Sequence, residues 1–216
     1  MPTHATRPAL TQYAYEEYET SGPRAFHRCL WPAVIRQLDA RLDRESRILD
    51  AGCGNGSLCA ELSDRYDVCG FDLSESGIRL ARQSCPACDF RVASAYDDIR
   101  ELFGRDFDAV TSLEVIEHLY APREFLRRVR DALAPQGLLI LSTPYHGYLK
   151  NVAVAVTGRF DQHFRPLRDG GDIKFWSVKT LTSVLHECGF ELLRWEGAGR
   201  FPFFWKSMVA VARKNG

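Results

Sequence analysis

The chain carries no excess of either charge, with 28 Lys and Arg against 28 Asp and Glu. A global basic footprint for nucleic acid is therefore missing, and only a local patch would serve that purpose. It also lacks a run of about 18 apolar residues able to span a bilayer. Its most membrane-like stretch, Val152 to Val156, is far too short. Met1 is not followed by the basic-then-apolar pattern of a secretory signal. No second Cys-x-x-Cys joins Cys85-Pro-Ala-Cys88, and Cys188 stands alone, which argues against a four-cysteine zinc site. Seven cysteines without disulfide-scaffold spacing fit a reducing cytoplasm, and the Cys85/Cys88 pair reads as ordinary thiols of a surface loop. Internal repeats and low-complexity tracts are absent as well.

What remains suits one globular domain: 216 residues, 45% hydrophobic and 26% charged. Apolar, mostly β-branched runs predict strands at Arg47–Asp50, Val68–Phe71, Phe90–Ala93, Phe107–Leu113, Leu138–Ser142, Glu191–Trp195 and Met208–Arg213. Helical patterns fall between them near 57–65, 74–84, 122–133 and 178–188. Such alternation predicts a largely parallel sheet with helices on both faces. In the helix at 122–133, Pro122 suits the first turn and Phe125, Leu126, Val129 and Leu133 form the buried stripe, with the arginines facing outward.

Two regions break the alternation. The first 45 or so residues hold a Tyr-rich segment (Tyr13, Tyr15, Tyr18), a break at Ser21-Gly22-Pro23, and a helix marked by Val34, Ile35, Leu38 and Leu42. Residues 143–177 are irregular and rich in aromatics, His and Gly.

The most informative stretch is Arg47-Ile-Leu-Asp-Ala-Gly-Cys-Gly-Asn-Gly-Ser57, a short strand running through Gly52-x-Gly54-x-Gly56 into a helix. Glycine lets the backbone turn tightly and approach a ligand, and a helix start favours negative charge. A dinucleotide turn spaces its third glycine one residue later and rests a pyrophosphate there. Asp50 at the strand end would repel a pyrophosphate but attract an ammonium group. An amino-acid moiety supplies both signs, which fits S-adenosylmethionine (SAM) and not NAD. Asp72, at the end of the second strand and some twenty positions beyond the turn, can accept ribose hydroxyls, with Leu73 against the adenine.

Leu113-Glu-Val-Ile-Glu-His-Leu119 raises a separate question. In a helix, Glu114, Glu117 and His118 would share one face beside an apolar core. That spot reads as a metal site, a base with helpers, or a solvated helix start.

With these residues in hand, the chain resembles the Rossmann-like (class I) SAM-dependent methyltransferases, strongly over about 45–142 and more loosely over the last forty residues. The resemblance implies an α/β fold, a Rossmann-like three-layer sandwich whose seven-stranded, mostly parallel sheet ends in an antiparallel strand, Met208–Arg213. It implies an N-terminal helical cap over 1–45 and a SAM-dependent methyltransferase domain over 46–216, with a lid insertion at about 144–177. SAM would be held by Asp50, Ala51, Gly52, Cys53, Gly54 and Gly56, by Asp72 and Leu73, by Ser94 and Ala95, and by Leu113. The family places an acidic residue after the third strand, against the adenine amino group. This chain has Ala93-Ser-Ala-Tyr-Asp97 there, leaving Ser94 or Asp97 for that contact.

Glu114-Val-Ile-Glu-His118 is similar to the Glu-x-x-Glu-His segment of the ubiquinone-biosynthesis O-methyltransferases, and small-RNA 2′-O-methyltransferases carry a similar one. The resemblance implies a divalent metal (Mg²⁺ or Zn²⁺) at Glu114, Glu117 and His118, and it makes His118 and His146 the candidate catalytic residues. The RNA enzymes take a further metal histidine from a segment resembling Asp172-Ile-Lys-Phe-Trp176. Ile173 holds that place here, with His146 or His163 as substitutes.

The acceptor is expected beyond the fourth and fifth strands, beneath a lid of Tyr145, His146, Tyr148, Phe160, His163, Phe164, Phe175 and Trp176. Arg24, Arg28 or Arg36 is the candidate partner of the SAM carboxylate. The expected activity is methyl transfer to a hydroxyl of a small phenol, quinol or sugar-like acceptor of cofactor or secondary metabolism. RNA ribose 2′-O-methylation and small-molecule N-methylation are the alternatives. The RNA reading would need a basic channel.

Overall fold

The computed structural model describes Tyr18, Thr20, Gly22 and residues 28–216. Tyr13, Tyr15, Ser21, Pro23 and Arg24 lie outside the described residues. Helix α1 (Trp31–Asp39) precedes β1 (Arg47–Ala51), α2 (Ser57–Leu62), β2 (Asp67–Asp72), α3 (Glu75–Ser84) and β3 (Asp89–Val92). Then come α4 (Ile99–Phe103), β4 (Phe107–Leu113), a 3₁₀ turn (Ile116–His118), α5 (Pro122–Ala132) and β5 (Leu133–Pro144). The chain continues through α6 (Tyr148–Val156), α7 (Phe160–Phe164), α8 (Val178–Glu187), β6 (Phe190–Ala198) and β7 (Ser207–Lys214).

The seven strands form one sheet in the order β3-β2-β1-β4-β5-β7-β6. Pairing is parallel from β3 through β5, and β7 runs antiparallel to both β5 and β6. The fold is the expected α/β sandwich. Strand succession reverses between β1 and β4, and in open parallel sheets a crevice opens beyond the strand ends at that reversal.

Alternating side chains serve two cores. Leu49, Phe71, Val110, Leu139 and Leu141 pack with Phe125, Leu126 and Val129 of α5 on one face. Ile48, Val68, Ala109, Ile140 and Val211 pack with Val34, Leu38, Leu62 and Ile78 on the other. Period-2 strands buried on both faces are what a three-layer sandwich requires. Caps set several helix starts: Ser74 accepts from Gly77 N, Asp98 from Arg100 N and Glu101 N, and Ser177 and Thr180 form a capping box.

Three features depart from expectation. The 143–177 region contains α6 and α7. Most of α6 is exposed, and Lys150 is its buried member, so no apolar stripe announced it. Helix α4 spans only five residues and owes its start to the Asp98 cap. Cys85 is buried, with its sulfur 2.7 Å from that of half-buried Cys88, so the thiols of this surface loop turn inward while Pro86 and Ala87 between them are exposed. Among the described residues, no helix is long and apolar enough to cross a membrane.

Candidate functional site

Tight turning begins where β1 ends. Gly52 and Cys53 both donate to Phe71 O, at 2.8 and 3.0 Å, which carries the chain across to the end of β2. Gly52 has φ +83°, and a Cβ there would lie 2.4 Å from a Val115 methyl. Gly56 has φ +71°, and its Cβ would lie 2.6 Å from Ala81 Cβ on α3. The first glycine keeps the turn clear of the β4 exit, and the last lets α2 sit against α3.

Asp72 closes this turn. Its carboxylate accepts from Gly54 N and Ser74 N, each at 2.8 Å, while its side chain lines the main cavity. Asp50 is 3% exposed and accepts from Thr111 Oγ1 at 2.8 Å and Cys59 Sγ at 3.6 Å. Burial pushes its carboxyl up to about 6, against those two bonds. Asp50 also lines a small hollow with Tyr18, Gly52, Cys53, Gly54 and Leu113.

The main cavity, about 650 Å³, opens at the C-terminal ends of the parallel strands. That volume lies within the range of small-molecule sites, about 300–1,000 Å³. One end is walled by Phe71, Asp72, Leu73, Ala93, Ala95 and Leu113. Asp72, Leu73, Ala95, Leu113 and the glycine turn thus come together, as the spacing of the motifs suggested. Ser94 does not join them: its N–H donates to Asp97 and its hydroxyl accepts from Tyr96 N. Ala51 is fully buried in β1, where its carbonyl accepts from Ser112 Oγ, and Gly56 packs against α3. Arg36 is bound to Glu196 on β6 at 2.7 Å, which removes it as a partner for a donor carboxylate, and Arg28 is exposed.

The Glu114–His118 segment does not meet the helical condition under which its three polar residues would share a face. Glu114 has φ +57° and sits at the β4 exit, and only Ile116–His118 makes a 3₁₀ turn. The Glu114 carboxylate turns back to the sheet, accepting from Ser142 Oγ at 2.7 Å and Ser207 Oγ at 3.2 Å. Burial pushes it up to about 7.

Glu117 is 1% exposed, and one of its carboxylate oxygens has no hydrogen-bond partner among the described residues. Burial, then Glu114, holds its carboxyl well above the usual range. Its backbone carbonyl accepts from Ile173 N and Lys174 N at 2.9 and 3.0 Å, which pins the end of the lid segment onto the 3₁₀ turn. Asp172 is thereby brought beside His118, whose Nδ1 lies 3.2 Å from Gly171 O and 3.8 Å from Asp172 Oδ1. The result is a cluster of Glu117, His118 and Asp172, with ligand atoms within 4.8 Å of one another. Asp172 stands where the sequence suggested Glu114.

His146 stacks on Phe164 at 5.8 Å between ring centroids, with His163 and Phe175 edge-on. Burial, then Lys150 and His163, pushes it down to about 4, so it is neutral at pH 7 and a weak base. Sequence reasoning missed Lys150, Arg165, Arg168, Arg200 and Lys206, all of which line the cavity. They are dispersed over α6, the lid and the β6–β7 connection, so no spacing marks them.

The methyltransferase domain family matches residues 24–194. A ubiquinone biosynthesis O-methyltransferase of Ruegeria pomeroyi is 30% identical over 197 residues, 84% of this chain and 78% of that protein. One from Xanthomonas oryzae is 35% identical over 132 residues, 58% of this chain and 55% of that protein, so the match spans about half of its length. Among solved structures, the magnesium protoporphyrin IX methyltransferase of Synechocystis with bound S-adenosylhomocysteine (SAH) superposes with a TM-score of 0.64 at 22% identity. That superposition covers 88% of this chain and 83% of the other.

Proposed function

The chain belongs to the methyltransferase domain family, and from that premise we propose that it uses SAM to methylate a hydroxyl of a small phenol- or quinol-like acceptor. The observation that carries this reading is the Glu117–His118–Asp172 cluster, which opens into the same cavity as Asp72 and Leu73. The O-methyltransferase relatives point the same way. Seven free cysteines support a reducing compartment such as the cytoplasm for this activity.

When bound, SAM supplies a methyl group on a sulfonium, already primed to leave. The residues that would hold it are Asp72 for the ribose, Leu73, Ala93 and Ala95 around the adenine, and Gly52, Gly54 and Asp50 at the amino-acid end. The protein's remaining task is to position the acceptor and manage one proton. His118 Nδ1–H donates to Gly171 O, which fixes the ring and leaves Nε2 free to take the hydroxyl proton. Asp172 Oδ1 stands 3.8 Å from the same ring nitrogen.

The same three residues fit a divalent cation. They offer two carboxylates and an imidazole, and a buried Glu117 oxygen still lacks a partner. Such an ion would lower the pKa of a hydroxyl at this spot.

The test is SAH formation from SAM with a catechol, an aniline and a short RNA as acceptors. Turnover of the catechol alone supports the reading. Turnover confined to the aniline or the RNA would overturn it.

A further inference from the structure

Cys85 and Cys88 take no part in the site described above, and their surroundings differ from those of the other buried thiols. Cys59 Sγ donates to Asp50, Cys69 Sγ accepts from the Arg105 guanidinium at 2.6 Å, and Cys188 Sγ donates to Arg123 O at 3.8 Å. Cys85 and Cys88 instead face each other, sulfur to sulfur, at 2.7 Å. Among the described residues they belong to no group of three possible metal ligands, which removes a zinc site as the reason for the pairing.

The backbone is built for that approach. Cys85 caps the C-terminus of α3, its N–H donating to Ala81 O at 2.9 Å, and Cys88 N donates to Cys85 O at 3.1 Å. Residues 85–88 thus form a turn with Pro86 at its second position, where the pyrrolidine ring pre-sets φ. A β-turn holds its end Cα atoms within about 7 Å, and a disulfide spans Cα atoms about 4.4–6.8 Å apart. Arg82, in the last turn of α3, donates to Phe90 O of β3 at 3.2 and 2.7 Å, so the two arms leaving the turn are clamped together as well. Joining the sulfurs then asks little movement of α3 or β3.

Exposure gives the two thiols different parts. Cys88 is half-buried at the edge of the turn, whereas Cys85 is 7% exposed and belongs to the core on that face. A solute reaching the turn meets Cys88 first. Burial, then the hydrogen bond with Cys85, holds the Cys88 thiol well above its usual range. The thiolate is the reactive form, so the pair rests reduced and answers a sustained oxidant more than a brief one.

We propose that Cys85 and Cys88 are a dithiol that hydroperoxides close to a disulfide, with Cys88 reacting first and Cys85 resolving it. With hydrogen peroxide, the Cys88 sulfur attacks one oxygen: an S–O bond forms, the O–O bond breaks, and a sulfenic acid and one water result. The Cys85 sulfur then attacks the sulfenic sulfur, an S–S bond forms, and the hydroxyl leaves with the Cys85 proton as a second water. Two thiols have been oxidised and one peroxide reduced, and a thiol reductant reverses the closure.

Closure protects the donor site. Helix α3 also carries Gly77, where a Cβ would lie 2.8 Å from Gly54 O, and Ala81, which packs against Gly56. Stopping at a disulfide, short of a charged sulfinate on half-buried Cys88, keeps that helix seated against the glycine turn.

The experiment treats the full chain with hydrogen peroxide, alkylates it under denaturing conditions and digests it with trypsin. Cleavage after Arg82 and Arg91 puts both cysteines on peptide 83–91, while Cys53 and Cys59 share peptide 48–65. In wild type, peptide 83–91 should appear unalkylated and lighter by two hydrogens, and dithiothreitol before alkylation should restore it. In Cys85→Ala, Cys88 should instead gain oxygen or cross-link to a second chain. The oxidised wild type should bind SAH within about threefold of the reduced protein. Its Tm should hold or rise by up to about 8 °C, the scale of closing a loop of about four residues.

A peptide 83–91 that stays fully alkylated, or that gains oxygen in wild type as readily as in Cys85→Ala, would overturn the proposal. So would a disulfide confined to peptide 48–65. The wild-type peptide decides alone if Cys85→Ala fails to fold. A fall in Tm on closure, or a larger loss of SAH affinity with the disulfide confined to 83–91, would show that closure unseats α3 and would overturn the protective role.

Discussion

Replacing Gly56 by alanine separates the packing role of the glycine turn from its ligand role. Gly56 has φ +71°, where an L-residue costs about 1–2 kcal/mol. The added methyl would also lie 2.6 Å from Ala81 Cβ, and 3.0 Å from both Ala81 Cα and Phe90 Cζ. Favourable carbon contacts sit at about 3.5–4.0 Å. Ala81 is fully buried on α3 and has no rotamer to escape into, so α2 and α3 must move apart. Overpacking of this kind costs about 1–3 kcal/mol, giving a total of about 2–5 kcal/mol.

Single domains are stable by about 5–15 kcal/mol, so the variant should still fold. At about 2–4 °C per kcal/mol for a chain of this size, Tm should drop by about 4–20 °C. Gly56 lines neither the cavity nor the hollow, so SAH affinity measured well below the new Tm should stay within about threefold. Differential scanning calorimetry reads the first quantity and isothermal titration the second. A Tm within 2 °C of wild type (roughly the shift from 1 kcal/mol) would refute the close-approach argument for this glycine.

Three further outcomes are expected. Asp50, pushed up to about 6, is mostly protonated below that pH and gains its charge as pH rises, so SAH should bind about tenfold more weakly at pH 5 than at pH 7. Asp50→Asn should be weaker and flat across that range, and an equal slope in the variant would dissociate Asp50 from the donor's ammonium. Titrating Mg²⁺ or Zn²⁺ to about 100 times its Kd into the SAH complex should add about 2.7 kcal/mol, read as a Tm rise that Glu117→Gln abolishes. A rise that persists in Glu117→Gln would place the ion elsewhere. His118→Ala should lose about 10²–10⁴ in kcat while SAH affinity holds, and a loss under about threefold would remove His118 from proton handling.

The sheet was legible because its inner parallel strands are buried on both faces, which forces apolar runs such as Phe107–Leu113, matched residue for residue, while the edge strand β3 buries only Phe90. Asp50 and Asp72 were legible for another reason. A charge at the end of such a run has to be explained by a ligand or a bond, and each carboxylate accepts a hydrogen bond here. Glu114 shares a face with Glu117 and His118 only if the segment is helical, and this residue has φ +57°. Two serines from distant strands, Ser142 and Ser207, decide its direction, and no local pattern encodes them. Asp172 was passed over for its neighbour Ile173, because the pinning bonds to Glu117 O are backbone bonds that any residue can make. The cations lining the cavity come from separate elements and share only that cavity.

The Glu117–His118–Asp172 cluster is divided between two bodies. Glu117 and His118 belong to the 3₁₀ turn that follows the central strand β4, whereas Asp172 arrives on the segment that Ile173 and Lys174 tie to the Glu117 carbonyl. Any opening of the lid that breaks those two bonds also dismantles the proton-handling group. Such an enzyme is inert while its door is ajar, which keeps water from meeting an activated donor. Under the proposed mechanism, turnover would then be timed by how quickly a loop re-latches and lets product go.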